Sequence, residues 1–97
     1  MDIVIAYDIA DTNTPQGAAR LRRIADVCSS YGQRIQWSVF ECRLSPTRYT
    51  QLLEDLHDHI NPTADSVLIY RFPGTIHEHR TTIGIDKGHH LGTTWII

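Results

Sequence analysis

Acidic residues around the first apolar stretch of the sequence are the clearest candidates for chemistry. The run from Ile3 to Tyr7 is β-branched and aromatic, lies between Asp2 and Asp8, and is followed by Asp11. Such a run is typical of a central strand buried on both faces. A carboxylate at its end costs several kcal/mol unless it is solvated, paired or bound to metal, so Asp8 is the leading candidate. The alternative is that Asp8 or Asp11 only accepts backbone N–H bonds in the following turn.

A basic helix follows this acidic stretch. Apolar residues recur at spacings of three and four from Gln16 to Tyr31, which predicts a helix with one buried stripe that ends at Gly32. The loop from Thr12 to Gly17, with a helix start near Pro15, joins it to the acidic stretch, so its first half is expected near Asp8. The stripe contains Leu21, Ile24, Val27, Cys28 and Tyr31, and the basic residues are Arg20, Arg22 and Arg23.

The middle of the sequence predicts more strands and a second helix. From Gln33 to Leu44 the alternation of apolar and polar residues changes phase between Val39 and Phe40, so we expect one long bent strand or two tightly joined strands, with a bulge near Ser38. Next, Ser45-Pro46 predicts a helix start, and helical spacing continues to Ile60 before Asn61-Pro62 ends it. A further strand is predicted from Asp65 to Phe72.

This order of elements predicts an α/β (α+β) ferredoxin-like βαββαβ sandwich, with an antiparallel sheet and two helices on one face. The chain of 97 residues is expected to form a single domain, 1–97. One sheet face has no helices, and a small core gains from a partner, so that face is the natural place for a second subunit. The apolar end, Thr93 to Ile97, predicts an extra strand that crosses to a partner, and we expect segment 75–97 to be associated with the dimer.

Composition narrows the classes of protein. A hydrophobic content of 41% without a long apolar run predicts no membrane span, and we expect a cytoplasmic protein. Cys28 and Cys42 are expected to be buried reduced thiols. The net charge of −2 means that nucleic-acid binding must rest on local clusters of charge. Histidines of the last third, as HxH and HH pairs, lack the spacing of a zinc site.

Three motifs occur in order within roughly the first 45 residues. They are Tyr7-Asp8-Ile9 with Asp11, the helix start Arg20-Leu21-Arg22-Arg23-Ile24, and the block from Gly32 to Glu41, which reads GQRIQWSVFE. On these residues the chain resembles the small CRISPR-associated protein 2 family, a partner of the CRISPR integrase in spacer acquisition during antiviral defence. Trp37 departs from the pattern of the family, in which an aromatic such as Tyr is common at this position. The second half contains no motif that matches.

The resemblance implies a homodimer in which the two copies of Asp8 face each other and share a divalent cation, usually Mg²⁺, with Mn²⁺ as an alternative. Two carboxylates with retained waters suit an octahedral oxygen site. The resemblance also implies phosphate contacts from Arg20, Arg22, Arg23 and Arg34, although surface solubility or pairing with Asp11, Asp26 and Glu41 is an equal alternative. Tyr7, Asp11, Ser38 and Phe40 are supporting positions, and core packing is the expected role of Phe40.

Three functions are compatible with these residues. The first is a Mg²⁺-dependent endonuclease that hydrolyses phosphodiesters of RNA, DNA or both, with Asp8 as catalytic and metal-binding residue. The second is a non-catalytic dimeric scaffold that holds duplex DNA for the CRISPR integrase. The third is a small-molecule-sensing regulator, which the arginine cluster disfavours because such a role does not use it.

Overall fold

The structure, a computed structural model, describes residues 1–86, so the predicted terminal strand lies outside the described residues. Within this range four strands form one sheet, with order β2-β3-β1-β4 and antiparallel pairing throughout. The first and last of these strands are neighbours, as the ferredoxin-like topology requires, and the predicted fold class is confirmed. The elements are β1 (Asp2–Asp8), α1 (Pro15–Tyr31), β2 (Gln33–Gln36), β3 (Val39–Arg43), α2 (Pro46–His59), β4 (Ser66–Phe72) and a short helix, α3 (Ile76–His79), that the sequence did not predict.

Local capping explains where the two long helices begin. Thr14 caps α1, and its hydroxyl accepts a hydrogen bond from the Gly17 N–H at 3.1 Å. Ser45 caps α2 in the same way, and its hydroxyl accepts from the Arg48 N–H at 3.2 Å. A proline occupies the first turn of each helix, where its missing N–H costs nothing. Both predicted helix starts are therefore confirmed.

A close approach between α1 and β3 explains the glycine after α1. Gly32 has an extended backbone, with φ of −159°, so it is not needed for a left-handed turn. A Cβ at this position would lie 2.3 Å from both the Cys42 Sγ and the Glu41 carbonyl oxygen. The chain can pass directly from α1 into β2 beside β3 only because residue 32 has no side chain.

The predicted phase change falls in a hairpin between β2 and β3. Trp37 and Ser38 form the two-residue connection, so the alternative with two tightly joined strands is correct. The irregularity in pairing lies between Arg34 and Gln36, within β2 and just before the predicted position near Ser38. Such a bulge allows the two strands to present different faces to the core.

The core lies between the sheet and the two long helices. Ile3, Ile5 and Tyr7 of β1 point toward the helices, which is the period-two pattern of a strand. Leu21 departs from the predicted stripe because its side chain is 36% exposed. Other core side chains are Ile9, Ile24, Cys28, Tyr31, Phe40, Cys42, Leu44, Leu52 and Leu56.

Both cysteines belong to this core. Cys28 and Cys42 are buried free thiols, as the sequence predicted. Burial raises the pKa of each thiol to about 12, which keeps both protonated near neutral pH.

The opposite face of the sheet is only partly covered. Val4 and Ala6 are half-buried and Asp8 is exposed, so the prediction that β1 is buried on both faces is wrong for the chain by itself. Because the helices cover one face alone, Leu68 and Tyr70 of β4 are 51% and 55% exposed on the other. We call this second face the open face.

The chain after β4 returns over one part of the open face. Ile76 at the start of α3 is buried, and its N–H donates to the Asp2 carboxylate at 2.9 Å. Further along, Arg80 forms ion pairs with Glu41 of β3 and with Asp86.

No helix within the described residues is long and apolar enough to cross a membrane.

Candidate functional site

Asp8 is the last residue of β1 and lies at the rim of the sheet. On β4, its register partner is Ser66. On the side of β3, the N–H of the preceding residue, Tyr7, donates a hydrogen bond to the Ser38 carbonyl at 3.1 Å. The Asp8 side chain is exposed and has no hydrogen bond or ion pair within residues 1–86. Of the three ways in which the cost of this carboxylate was expected from the sequence to be avoided, solvation is the one found, because Asp8 alternates onto the open face and reaches solvent. The alternative, in which Asp8 accepts backbone N–H bonds, is not found.

A buried ion pair holds the loop that follows Asp8. The Arg20 Nε donates to the Asp65 Oδ2 at 2.9 Å, and the Arg20 Nη2 donates to the Ala10 carbonyl at 3.0 Å. Asp65 in turn accepts from the Ala10 N–H at 2.9 Å and from the Asn61 N–H at 2.8 Å. One arginine and one carboxylate thus join the end of β1, the start of α1 and the turn before β4.

The Asp65 carboxylate remains ionised despite its burial. Its side chain has no exposed surface, and burial alone would raise its pKa. The hydrogen bonds from Arg20, Asn61 and Ala10 outweigh this effect, so the pKa of Asp65 lies below its ordinary value. From the sequence, Asp65 was predicted only to be the polar start of a strand, because its partner Arg20 is 45 positions away.

This geometry assigns Arg20 to the fold. Pairing was one of the two roles expected for the arginines, but the partner is Asp65 and none of the acids considered from the sequence. Two of its nitrogens are already bound to the loop and to Asp65, so we do not include Arg20 among the proposed phosphate contacts.

Asp11 contributes through its backbone. It has a φ of 57°, in the left-handed region that Asp tolerates better than most residues. Its carbonyl accepts from the Thr14 N–H at 2.9 Å and from the Thr14 hydroxyl at 2.7 Å. A Cβ on Gly17 would lie 1.9 Å from the same carbonyl oxygen, so the loop can cross α1 only over a glycine.

Three predicted phosphate contacts remain available. Arg22 and Arg23 are exposed on α1, and Arg34 is exposed on β2. None of the three has an ion pair or a hydrogen bond within the described part of the chain. Their guanidinium N–H groups can therefore bind phosphate oxygens without first breaking a hydrogen bond or ion pair within the described residues.

At the tip of the β2–β3 hairpin, buried aromatic side chains contact exposed side chains that lie near Asp8. Phe40 is fully buried, as its expected role in packing requires, and its ring lies 6.2 Å from that of Tyr7. The Arg34 guanidinium lies 5.1 Å from the Phe40 ring centroid and 5.7 Å from that of Trp37. The Tyr7 hydroxyl donates to the Trp37 carbonyl at 3.3 Å. Among the supporting positions, Tyr7 thus fixes the hairpin beside Asp8, and Ser38 contributes its backbone carbonyl.

One chain supplies only part of a metal site. No group of three His, Cys, Asp or Glu side chains that could hold an ion occurs among residues 1–86. Asp8 nevertheless presents a free carboxylate, which is a ligand of the kind that Mg²⁺ prefers, and Mg²⁺ commonly uses one or two carboxylates with retained waters. The donor chemistry of Asp8 is therefore compatible with Mg²⁺, but one carboxylate is only part of a ligand set.

The described part of the chain is thus a ferredoxin-like α+β sandwich whose first strand ends in an aspartate without a hydrogen bond or ion pair within residues 1–86. Residues 1–78 match the family model described as CRISPR associated protein Cas2. The chain therefore belongs to the CRISPR-associated protein Cas2 family, and the resemblance stated from the sequence is confirmed.

Similar proteins agree with this assignment. The chain is 44% identical over 70 residues to a "CRISPR-associated endoribonuclease Cas2" of Chlorobaculum tepidum, which covers 72% of each chain. It is 44% identical over 71 residues to a "CRISPR-associated endonuclease Cas2" of Halalkalibacterium halodurans, and the aligned region covers 73% of each chain. Among solved structures, Streptococcus pyogenes Cas2 matches with a TM-score of 0.76 at 36% identity, over 87% of this chain and all of that one.

Proposed function

We propose that this protein is a metal-dependent endonuclease that hydrolyses phosphodiesters of RNA, DNA or both, and that it takes part in spacer acquisition. One observation carries the proposal: the Asp8 carboxylate lies exposed and unpaired, within residues 1–86, at the rim of the sheet. The names of similar proteins, which include endoribonuclease and endonuclease, support the same reaction class. Unpaired carboxylates on a rigid strand end are suited to hold a cation.

The working unit that we propose is a homodimer. Each chain contributes one Asp8, and two copies provide the two carboxylates that a shared Mg²⁺ or Mn²⁺ would use. The half-exposed Leu68 and Tyr70 on the open face support an association through this face. For segment 93–97, which lies outside the described residues, we keep the sequence-based proposal that it forms a strand on the partner's sheet.

Each residue of the site has a distinct role in this proposal. A bound divalent ion would polarise the phosphodiester and lower the pKa of a water that attacks phosphorus. The Asp8 side chain, at the fixed end of β1, would hold that ion. Arg22, Arg23 and Arg34 bind the neighbouring phosphates and orient the strand, because a planar guanidinium can bind two phosphate oxygens at once.

Cleavage assays with matched variants test the proposal. Labelled single-stranded RNA and duplex DNA are incubated with Mg²⁺, Mn²⁺ or a chelator and with wild type, Asp8→Asn or Asp58→Asn, an exposed acid of α2. We expect metal-dependent products from wild type and Asp58→Asn, and a loss of about 100-fold or more in rate for Asp8→Asn, because several kcal/mol of charge stabilisation is removed. Equal products from all three proteins would contradict the catalytic role of Asp8.

The second candidate is a non-catalytic scaffold that holds duplex DNA for the CRISPR integrase. The observation that favours it is the set of three exposed arginines without ion pairs in the described range, which suits sequence-independent binding of phosphates. If this role is correct, Asp8→Asn keeps DNA affinity. Replacing Arg22 and Arg23 by Ala lowers affinity for all sequences and reduces its dependence on salt. Binding with no cleavage by wild type in any metal would favour the scaffold over the nuclease.

A further inference from the structure

Trp37 is a large apolar side chain whose exposure the fold does not explain. Its side chain is 86% exposed at the tip of the β2–β3 hairpin, whereas the neighbouring aromatic residues Tyr7 and Phe40 are buried. An indole with so little of its surface buried gains little free energy from the hydrophobic effect. Its position next to the strand that ends at Asp8 indicates a role in binding.

The Trp37 indole is the outermost of three neighbouring side chains, which are those of Phe40, Arg34 and Trp37. Phe40 is anchored in the core, Arg34 lies within 5.1 Å of its ring centroid and within 5.7 Å of that of Trp37, and the Trp37 carbonyl accepts a hydrogen bond from Tyr7. A guanidinium at this distance is attracted to the face of the ring. With one guanidinium beside it and most of its surface in solvent, the ring has an open face for a second flat group.

The surroundings favour a nucleobase as that group. A groove of about 740 Å³ opens beside Trp37, between the hairpin and residues 80–86, with Gln36, Ser38 and Arg80 among its polar lining residues. This volume is in the range of small-ligand sites. Arg34 places a phosphate-binding cation next to the same ring, so a base and its phosphate can be bound together.

We propose that Trp37 stacks on an unpaired nucleobase and so directs single-stranded or frayed nucleic acid to Asp8. This inference rests on the proposed function and deepens it by naming a residue that positions unpaired bases at the site. Bases within a duplex stack on each other, whereas those of a single strand are free to stack on an aromatic side chain. The chain therefore selects unpaired nucleotides at the hairpin, while the phosphates are bound by arginine.

A double-mutant cycle between protein and ligand tests the stacking. Two labelled single-stranded oligodeoxynucleotides with equal numbers of phosphates, one with adenine bases and one fully abasic, are titrated in chelator with wild type, Trp37→Ala, Trp37→Phe and Arg22→Ala. We expect Trp37→Ala to reduce affinity for the base-containing strand about fivefold to 150-fold with little effect on the abasic one. Trp37→Phe should retain most of the preference, and Arg22→Ala should weaken both strands equally.

A second readout keeps the result independent of folding. In a Trp95→Phe chain, fluorescence reports Trp37 alone, and we expect quenching by the adenine strand but not by the abasic strand. Equal affinity losses for both strands, or loss of the dimer in sedimentation with Trp37→Ala, would overturn the inference and assign the indole to another contact. If wild type neither binds nor cleaves any nucleic acid, the proposed function itself fails; if wild type binds and Trp37 has no effect, only the stacking fails.

Discussion

Asp2 and Asp8 lie at opposite ends of β1 and, being six residues apart, on the same face of the sheet. Asp2 is 3% exposed, and its two oxygens accept from the Arg43 Nε at 2.7 Å and Nη2 at 3.0 Å. Asp8 is exposed and has no such partner within residues 1–86. One strand thus presents a carboxylate that is used by the fold and another that is free for a ligand. Residue type therefore does not distinguish the two roles, whereas burial and pairing do.

Asp65, like Asp2, is a buried carboxylate paired with an arginine. Of Asp65, Asp2 and Asp8, its replacement should change the stability most. Asp65→Asn removes the charge that Arg20 and two backbone N–H groups surround in a fully buried position. We expect the free energy of unfolding to fall by about 3 kcal/mol, because the arginine is left with an uncompensated charge. Urea denaturation followed by circular dichroism measures this change. Asp58→Asn is the matched control, and an equal midpoint for both variants would contradict the assignment of Asp65.

Asp2→Asn should have the next largest effect. The carboxylate is buried, but its partner Arg43 is 39% exposed, so water can compensate one side of the broken pair. We expect a loss of about 2 kcal/mol, part of it from the Ile76 N–H that loses a charged acceptor. The same denaturation experiment measures it. Because Asp2 also holds α3, hydrogen exchange of the Ile76 amide should become faster, and an unchanged exchange rate would contradict the proposed anchor.

Acid should destabilise the protein through these two paired carboxylates. Burial raises the pKa of both, but hydrogen bonds from Arg43 to Asp2 and from Arg20 to Asp65 outweigh it, and both pKa values lie below the ordinary 3.8. The unfolded chain therefore binds more protons below about pH 4. Stability is complete above this pH and falls as the pH decreases, by at most about 1.4 kcal/mol per pH unit for each carboxylate. Denaturation at pH 3 and pH 6 should show a smaller difference for Asp65→Asn, and equal differences would contradict this.

Local signals allowed much of the fold to be predicted from the sequence. The helix starts at Pro15 and Pro46 depend on caps and prolines within a few residues, and the strand order follows from the order of the elements. Capping and turn chemistry act over short distances along the chain, so their patterns are visible before the fold is known.

The parts that could not be predicted depend on distant residues. The pair between Arg20 and Asp65 joins positions 45 apart, and no local pattern distinguishes it from a surface charge. The apolar run of β1 did not indicate that Asp8 would point to the open face, because a strand buried on both faces and one awaiting a partner have similar composition. The prediction of Asp8 as a candidate site residue depended only on its position directly after that run.

Asp8→Asn should give the smallest change in stability of the three acids. No contact within residues 1–86 is lost, so we expect the free energy of unfolding to change by about 0.5 kcal/mol or less without metal. If Mg²⁺ binds the folded wild-type protein at Asp8, the melting temperature should rise as the Mg²⁺ concentration exceeds Kd, and the variant should not respond. Thermal unfolding with and without Mg²⁺ measures both effects. A large loss of stability without metal would mean that Asp8 is structural like Asp2, and an equal response to Mg²⁺ in both proteins would place the cation elsewhere.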